Sequence, residues 1–142
     1  MSSITTRETK GSPLTHDEVD ANFNNLNNDK AGYVAGEGGA APAQSGNKSA
    51  GVTLNDKKCG TITMHDEDMI ANQIKSFTFT NNQIAATDIV VLNHASAGTA
   101  GAYALNAQAA AGSASISVTN ICGATKGEAI VIRFAVIKAV VT

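Results

Sequence analysis

From Val52 onward the apolar residues fall at every second position in short runs, and this constrains the fold more than any other feature. Phe77 and Phe79 alternate with Ser76, Thr78 and Thr80; Ile116 and Val118 alternate with Ser115, Ser117 and Thr119; Ile130, Ile132, Phe134 and Val136 form a third stripe. A period of two is that of a β-strand with one buried face. Clusters of Gly, Asn, Asp and Ser separate the runs and act as turns. The pattern predicts strands over 52–55, 61–65, 75–81, 88–93, 102–107, 113–120 and 128–140. Short strands with little helix between them make a mainly β chain, an antiparallel β-sandwich of jelly-roll-like form. Phe77, Phe79 and Phe134 are expected in its core, with Met64, Met69 and Ile70 as further core side chains. In the last strand the opposite stripe, Val131, Arg133, Ala135 and Ile137, is also largely apolar. A strand apolar on both faces is central in its sheet or covered on both sides.

The chain reads in three parts: 1–30, an extended N-terminal arm and one short helix; 31–51, a Gly/Ala-rich linker; and 52–142, the sandwich. Thr15 with Glu18 three residues later is a capping box, and Leu14 with Val19 has the spacing of a hydrophobic staple. Asp17, Glu18 and Asp20 place negative charge at the positive end of the helix dipole. Pro13 biases Ser12 towards an extended backbone. The helix is therefore expected over about 16–27, with one narrow apolar stripe of Val19, Phe23 and Leu26. A helix of about a dozen residues is marginal alone in water, so this stripe docks on its own domain or on another chain.

Composition excludes several classes. The net charge is −2, and no basic cluster exceeds Lys57-Lys58, so there is no footprint for nucleic acid. The chain has no Trp and few aromatic residues to stack on bases. No apolar run reaches the roughly 20 residues that cross a bilayer, and the N-terminus lacks the apolar core of a secretory signal. Synthesis in a cytoplasm is expected. Charge is also unevenly spread: beyond Lys75 the charged residues are Asp88, Lys126, Glu128, Arg133 and Lys138. A monomer of this size carries more surface charge, so much of the second half is expected to face another subunit.

Few residues carry chemistry. His65-Asp66-Glu67-Asp68 is the densest ionisable cluster. It reads as an acidic solvated turn, or as oxygen ligands for a hard cation without the spacing of an EF-hand. Cys59 and Cys122 lack CxxC spacing, which argues against zinc. They are expected as reduced apolar fillers, the alternative being a disulfide between strands. No G-x-S-x-G elbow occurs, and Gly36-Glu37-Gly38-Gly39 lacks the Lys-Ser/Thr pair of a phosphate loop. No catalytic residue, metal or cofactor is expected. His94, at the end of a strand, reads either as a contact to a glycan or receptor or as a loop histidine bonded to nearby backbone. Tyr103 is the one ring expected at the surface near it; Tyr33 belongs to the linker.

The run from Thr6 to Leu26, TRETKGSPLTHDEVDANFNNL, resembles the N-terminal signature of bacteriophage virion proteins, among them tail fibres and small capsid-associated proteins. NHASAGTAGAY over 93–103 and EAIVIRFAVIK over 128–138 are similar to a β domain of short phage structural proteins. The resemblance brings no catalytic residues. It implies a non-enzymatic structural protein of the virion exterior: a homotrimeric capsid decoration, or cement, protein or a head fibre. Its neighbour would be the major capsid protein or another virion protein. The particle-attachment residues would be Leu14, Val19, Phe23 and Leu26, with Ile4 and Arg7 as secondary anchors. The competing implication is a short tail fibre, an adhesin whose sandwich meets the host through a receptor loop containing His94 and Tyr103. A chain of 142 residues without shaft repeats tilts the choice to decoration.

Overall fold

The alternating runs pair into two four-stranded sheets that face each other across one core. The computed structural model describes residues 4–28 and 38–139, with side chains except those of 25–28. Its strands are β1 (Gly38–Ala40), β2 (Val52–Thr53), β3 (Cys59–Thr63), β4 (Ile74–Thr80), β5 (Ile89–Ser96), β6 (Tyr103–Ala110), β7 (Ser113–Asn120) and β8 (Val131–Ile137). The first sheet has the order β1-β3-β8-β5 and the second β2-β4-β7-β6. Successive strands alternate between the sheets from β1 to β6, a jelly-roll-like course, and β6–β7 is a tight hairpin closed at Gly112 (φ 74°). The edge pairs β1–β3 and β2–β4 are parallel; the other pairs are antiparallel.

The inward stripes meet as the alternation requires. Phe77 and Phe79 of β4, Ile116 and Val118 of β7, and Ile132, Phe134 and Val136 of β8 are all buried. The Phe79 and Phe134 rings, one from each sheet, lie 4.7 Å apart at 59°, within the range of favourable tilted aromatic pairs. Met64 and Met69 are fully buried, whereas Ile70 is exposed at the turn that follows. The turn bends the chain there, and the Ile70 backbone N–H is taken by the Gln73 Oε1 at 3.0 Å. β8 is central in its sheet, as its two apolar stripes imply, yet Ala135 and Ile137 on its outer face are exposed. Residues 140–142, which include the end of the expected last strand, lie outside the described residues.

Two expectations are corrected. Residues 38–51 are part of the sandwich, not a linker. β1 adds to β3, and the pairing continues through Ala41 N–H to Thr61 O (2.8 Å) and Gln44 N–H to Thr63 O (2.9 Å). Ala41, Gln44 and Lys48 are buried. The pairing depends on two facing glycines: a Cβ on Gly60 would stand 2.1 Å from the Gly39 carbonyl oxygen. Residues 31–37 of the expected linker, with Tyr33, lie outside the described residues.

The arm, likewise, is folded. Thr6 caps a helical turn α1 (Arg7–Lys10), its hydroxyl accepting from the Thr9 N–H at 3.1 Å, and Gly11 (φ 74°) closes it. The predicted helix α2 spans His16–Asn28. Its capping box forms in both directions: Thr15 N–H donates to Glu18 Oε2 (2.7 Å), and Glu18 N–H to Thr15 Oγ1 (3.3 Å). The arm then folds back along the helix. Asn22 accepts from the Thr5 N–H (2.9 Å) and donates to the Thr5 carbonyl (2.7 Å), and Lys10 pairs with Glu18 at 2.5 Å.

Because Phe79 is fully buried and spans the gap between the sheets, Phe79→Ala leaves a cavity that neither sheet can close. Unfolding of the full chain in urea should show a loss of about 3–5 kcal/mol, with the slope of the transition unchanged.

Candidate functional site

Two regions bear the residues that the sequence marks for partner contact. The first is the folded arm. Val19 and Phe23 lie one turn apart on α2, and Phe23 is 67% exposed and Val19 36%. Ile4 and Arg7 are exposed and Leu14 is half-buried; the side chain of Leu26 lies outside the described residues. The Thr5–Asn22 bonds place the neighbour of Ile4 against the neighbour of Phe23. Among the described residues, the hydrogen bonds of 5–22 close within the arm. The arm thus bonds to itself through Thr5, Thr6, Lys10, Thr15, Glu18 and Asn22, while Ile4, Val19 and Phe23 are exposed.

The second region is the loop after β5. The β5–β8 register shifts between His94 and Ser96, and Ala97 (φ 58°) and Gly98 (φ 69°) then take consecutive left-handed conformations. Such a conformation is strained for alanine. His94 Nε2 lies 2.6 Å from the Ala97 carbonyl oxygen. A carbonyl only accepts, so the imidazole proton sits on Nε2. Gly98 is required on two counts, since a Cβ would also come within 2.7 Å of Ile130 Cγ2. The loop frames an open pocket of about 130 Å³ lined by His94, Ala95, Ser96, Ala97, Gly98 and Ala100.

Glu128, just before β8, clamps this loop. Its carboxylate accepts from the Thr99 hydroxyl (2.6 Å), the Thr99 N–H (3.0 Å) and the Tyr103 hydroxyl (2.7 Å). Lys126 Nζ reaches the same Thr99 hydroxyl at 3.0 Å. The Thr99 donors and then the Tyr103 hydroxyl hold the Glu128 carboxyl down at about 2, against the opposing effect of burial. Burial, then the Glu128 carboxylate, pushes the Tyr103 phenol upward.

The structure brings His94 and Tyr103 together, with rings edge-to-face at 5.7 Å, but corrects the role of the second. Tyr103 is buried, because β6 turns its first residue inward against the clamp. The ring supports His94 from beneath and offers no surface of its own. Glu128 is the residue that the sequence reading passed over. Its signal was its isolation: it is one of two acidic residues beyond Lys75.

The acidic turn exposes Asp66 and Asp68 to solvent, as expected, but it also covers a lysine. Lys48 is fully buried beneath it, and its ammonium donates to the carbonyls of His65 (2.5 Å) and Glu67 (2.6 Å). Glu67 accepts from the Lys48 N–H (2.8 Å) and pairs with Lys75 (2.8 Å). Burial lowers the Lys48 pKa, opposed chiefly by Glu67 and then by Asp66 and Asp68. Among the described residues, no three His, Cys, Asp or Glu side chains converge on a metal-sized site. Cys59 and Cys122 are thiols, not a disulfide pair. No helix among the described residues is long and apolar enough to cross a membrane. No protein-family model, curated protein or solved structure matches the chain.

Glu128 makes the clamp sensitive to acid. Its folded carboxyl lies below the ordinary value of 4.5, so its contribution is complete above that value and is lost as pH falls towards about 2. The melting temperature of Glu128→Gln should therefore lie below that of the unaltered chain at pH 7. The gap should narrow steadily from pH 4.5 downward; a gap independent of pH would mean that the carboxylate charge does not hold the loop.

Proposed function

We propose that this chain is a non-enzymatic structural protein of a bacteriophage virion, a trimeric capsid decoration or head-fibre protein attached to the particle through its N-terminal arm. The observation that carries the reading is the exposed Val19–Phe23 pair on a helix whose N-terminal capping box is made and whose Asn22 bonds the arm. A single exposed apolar side chain is ordinary, but Val19 and Phe23 one turn apart, with Ile4 also exposed on the arm bonded to this helix, suit a docking surface. The phage-like signature runs over this same segment, Thr6 to Leu26. In this reading the arm meets the major capsid protein or another virion protein, the sandwich stands outside the shell, and the copies contact one another.

The second reading, a short tail fibre that binds the host surface, draws on one specific feature. The pocket beside His94 is open, and a four-residue network of Glu128, Thr99, Tyr103 and Lys126 holds it in shape. Pre-ordered loops lose less entropy on binding. The decoration reading is preferred because no Phe, Tyr or Trp lines the pocket for a sugar to stack on.

Burying Val19 and Phe23 together is worth roughly 3 kcal/mol. The double variant Val19→Asp, Phe23→Asp should therefore load on particles with on the order of a hundredfold weaker affinity, with the strand signal of its circular dichroism unchanged. Particle occupancy is read from quantitative protein staining and from cryo-electron microscopy. Hundreds of copies on the shell identify decoration, and a few copies at the tail identify the fibre. Full occupancy by the variant would remove the arm as the anchor.

A further inference from the structure

We infer that the 65–68 turn is an acid-sensitive latch on the β1–β2 connection, in which protonation of His65 exchanges the partner of its ring from the Glu67 N–H to the Asp66 carboxylate. The latch is independent of the arm and of the virion reading. One bond fixes its closed state: the Glu67 N–H donates to His65 Nδ1 at 3.0 Å. A ring nitrogen that accepts carries no proton, so the imidazole is neutral and its proton sits on Nε2. Donor and acceptor lie two residues apart, the geometry of an Asx turn with the ring nitrogen in place of an asparagine oxygen. Asp66 Oδ1 stands 3.2 Å from the same Nδ1. While Nδ1 is bare, two acceptors face each other there. Once it is protonated, the carboxylate takes its hydrogen and the Glu67 N–H is turned away.

The exchange has consequences because the turn grips its neighbour through the same two residues. Gln44 Oε1 accepts from the His65 N–H (3.1 Å), and Lys48 Nζ donates to the carbonyls of His65 (2.5 Å) and Glu67 (2.6 Å). Glu67 Oε2 in turn accepts from the Lys48 N–H (2.8 Å). Displacing the Glu67 N–H shifts the residue whose carbonyl and carboxylate both hold Lys48. Lys48 is fully buried, and a buried ammonium that loses an acceptor is costly. The far side of the turn has no room to yield. A Cβ on Gly127 would stand 2.2 Å from Asp68 Oδ1 and 3.1 Å from the Asp66 carbonyl oxygen, and the backbones of Met69 and Lys126 bond in both directions at 2.9 Å. Movement therefore falls on the Lys48 side.

Charge reaches the turn from several elements. Asp66, Glu67 and Asp68 lie on it, Lys48 lies beneath it, and Lys75 of β4 pairs with Glu67 at 2.8 Å. From the β7–β8 connection Glu128 acts on Lys48 at longer range, and the Lys126 ammonium is turned to Thr99. Lys75, then the Lys48 N–H, hold the Glu67 carboxyl below its ordinary value. Glu67 and Glu128 therefore stay charged over the range of roughly pH 5–8 in which histidines titrate. The latch thus opens above the range in which the Glu128 clamp fails. The imidazole of His94 is no such switch: it donates through Nε2 to the Ala97 carbonyl, and a proton added at Nδ1 leaves that bond intact.

The test is amide hydrogen exchange of the full chain, read residue by residue by NMR as protection factors. Going from about pH 7.5 to about pH 5.5, the Glu67 and Lys48 amides should lose protection at least ~tenfold. The loss should follow the titration of the His65 ring, while the amides of β7 keep their protection. In His65→Asn the side-chain oxygen can receive the same N–H and does not titrate, so both amides should stay protected at either pH. Asp66→Asn should move the change to lower pH, because a carboxylate favours the imidazolium. His94→Gln should leave the change as it is in the unaltered chain. Glu67 protection that is independent of pH, or an equal loss in His65→Asn, would overturn the latch. A change abolished by His94→Gln, or left unmoved by Asp66→Asn, would overturn it as well. One reading needs no variant: long-range nitrogen–proton correlation in the unaltered chain should place the His65 ring proton on Nε2 at about pH 7.5, and a proton on Nδ1 there would sink the inference.

Discussion

The rest of the structure depends on the packing of one stripe per strand across the gap between the sheets. Each strand contributes only a few inward side chains, and the Phe79–Phe134 ring pair bridges the two sheets. Since the strand period is two, the inward set fixes the register: a slip by one residue would send Phe77 and Phe79 outward and Ser76 and Thr78 inward. Once the inner positions are assigned, the outer ones are released from folding duty. Their composition can then be read as a record of what each face meets. The second sheet is hydroxyl-rich and the first is apolar at one end, and the core explains neither.

The connections between sheets are secured by polar groups rather than by bulk. Asn120 Nδ2 donates to the carbonyls of Met69, Ala124 and, at longer range, Ile70, and its Oδ1 accepts from the Cys122 N–H. Gln44 holds the β1–β2 connection with bonds to Lys48 O, Ala50 O and the His65 N–H. Among the described residues no buried side-chain nitrogen or oxygen lacks a partner. A buried unpaired polar group costs about 1–3 kcal/mol, so satisfaction at this level is what allows long crossovers over a modest core. Lys48 is the clearest instance. The acidic turn supplies two backbone carbonyls and nearby negative charge to the buried ammonium.

Local rules were legible and long-range ones were not. The strand Ser113–Asn120 coincides with its expected span, because Ile116 and Val118 against Ser115 and Ser117 admit one period only. The capping box fixed the start of α2, since both of its bonds are made three residues apart. By contrast β1 is Gly-Gly-Ala, without any periodic pattern. It is a strand because Gly60, far along the chain, leaves room for it. The burial of Tyr103 and the grip of Glu128 on Thr99 span 25 and 29 residues, and no local signal states that such groups meet. Lys48 was hidden for the same reason: it stands in an aperiodic run of Gly, Asn, Ser and Ala, and the turn at 65–68 that folds over it is distant in sequence.

The folding of the arm changes how attachment would work. An extended arm gains affinity from backbone hydrogen bonds added to a neighbour's edge, and it loses entropy as it orders. The arm here satisfies its own backbone: Thr6 and Gly11 close α1, Thr15 and Glu18 cap α2, and Asn22 takes both polar groups of Thr5. These bonds order part of the arm before any partner arrives. Recognition through the arm would then rest on side chains, and among the described residues the exposed large apolar ones there are Ile4, Val19 and Phe23. Such contacts strengthen with buried area and respond weakly to salt. Attachment through this helix should thus be governed by the shape of a receiving groove rather than by the charges of Asp17 and Asp20 beside it.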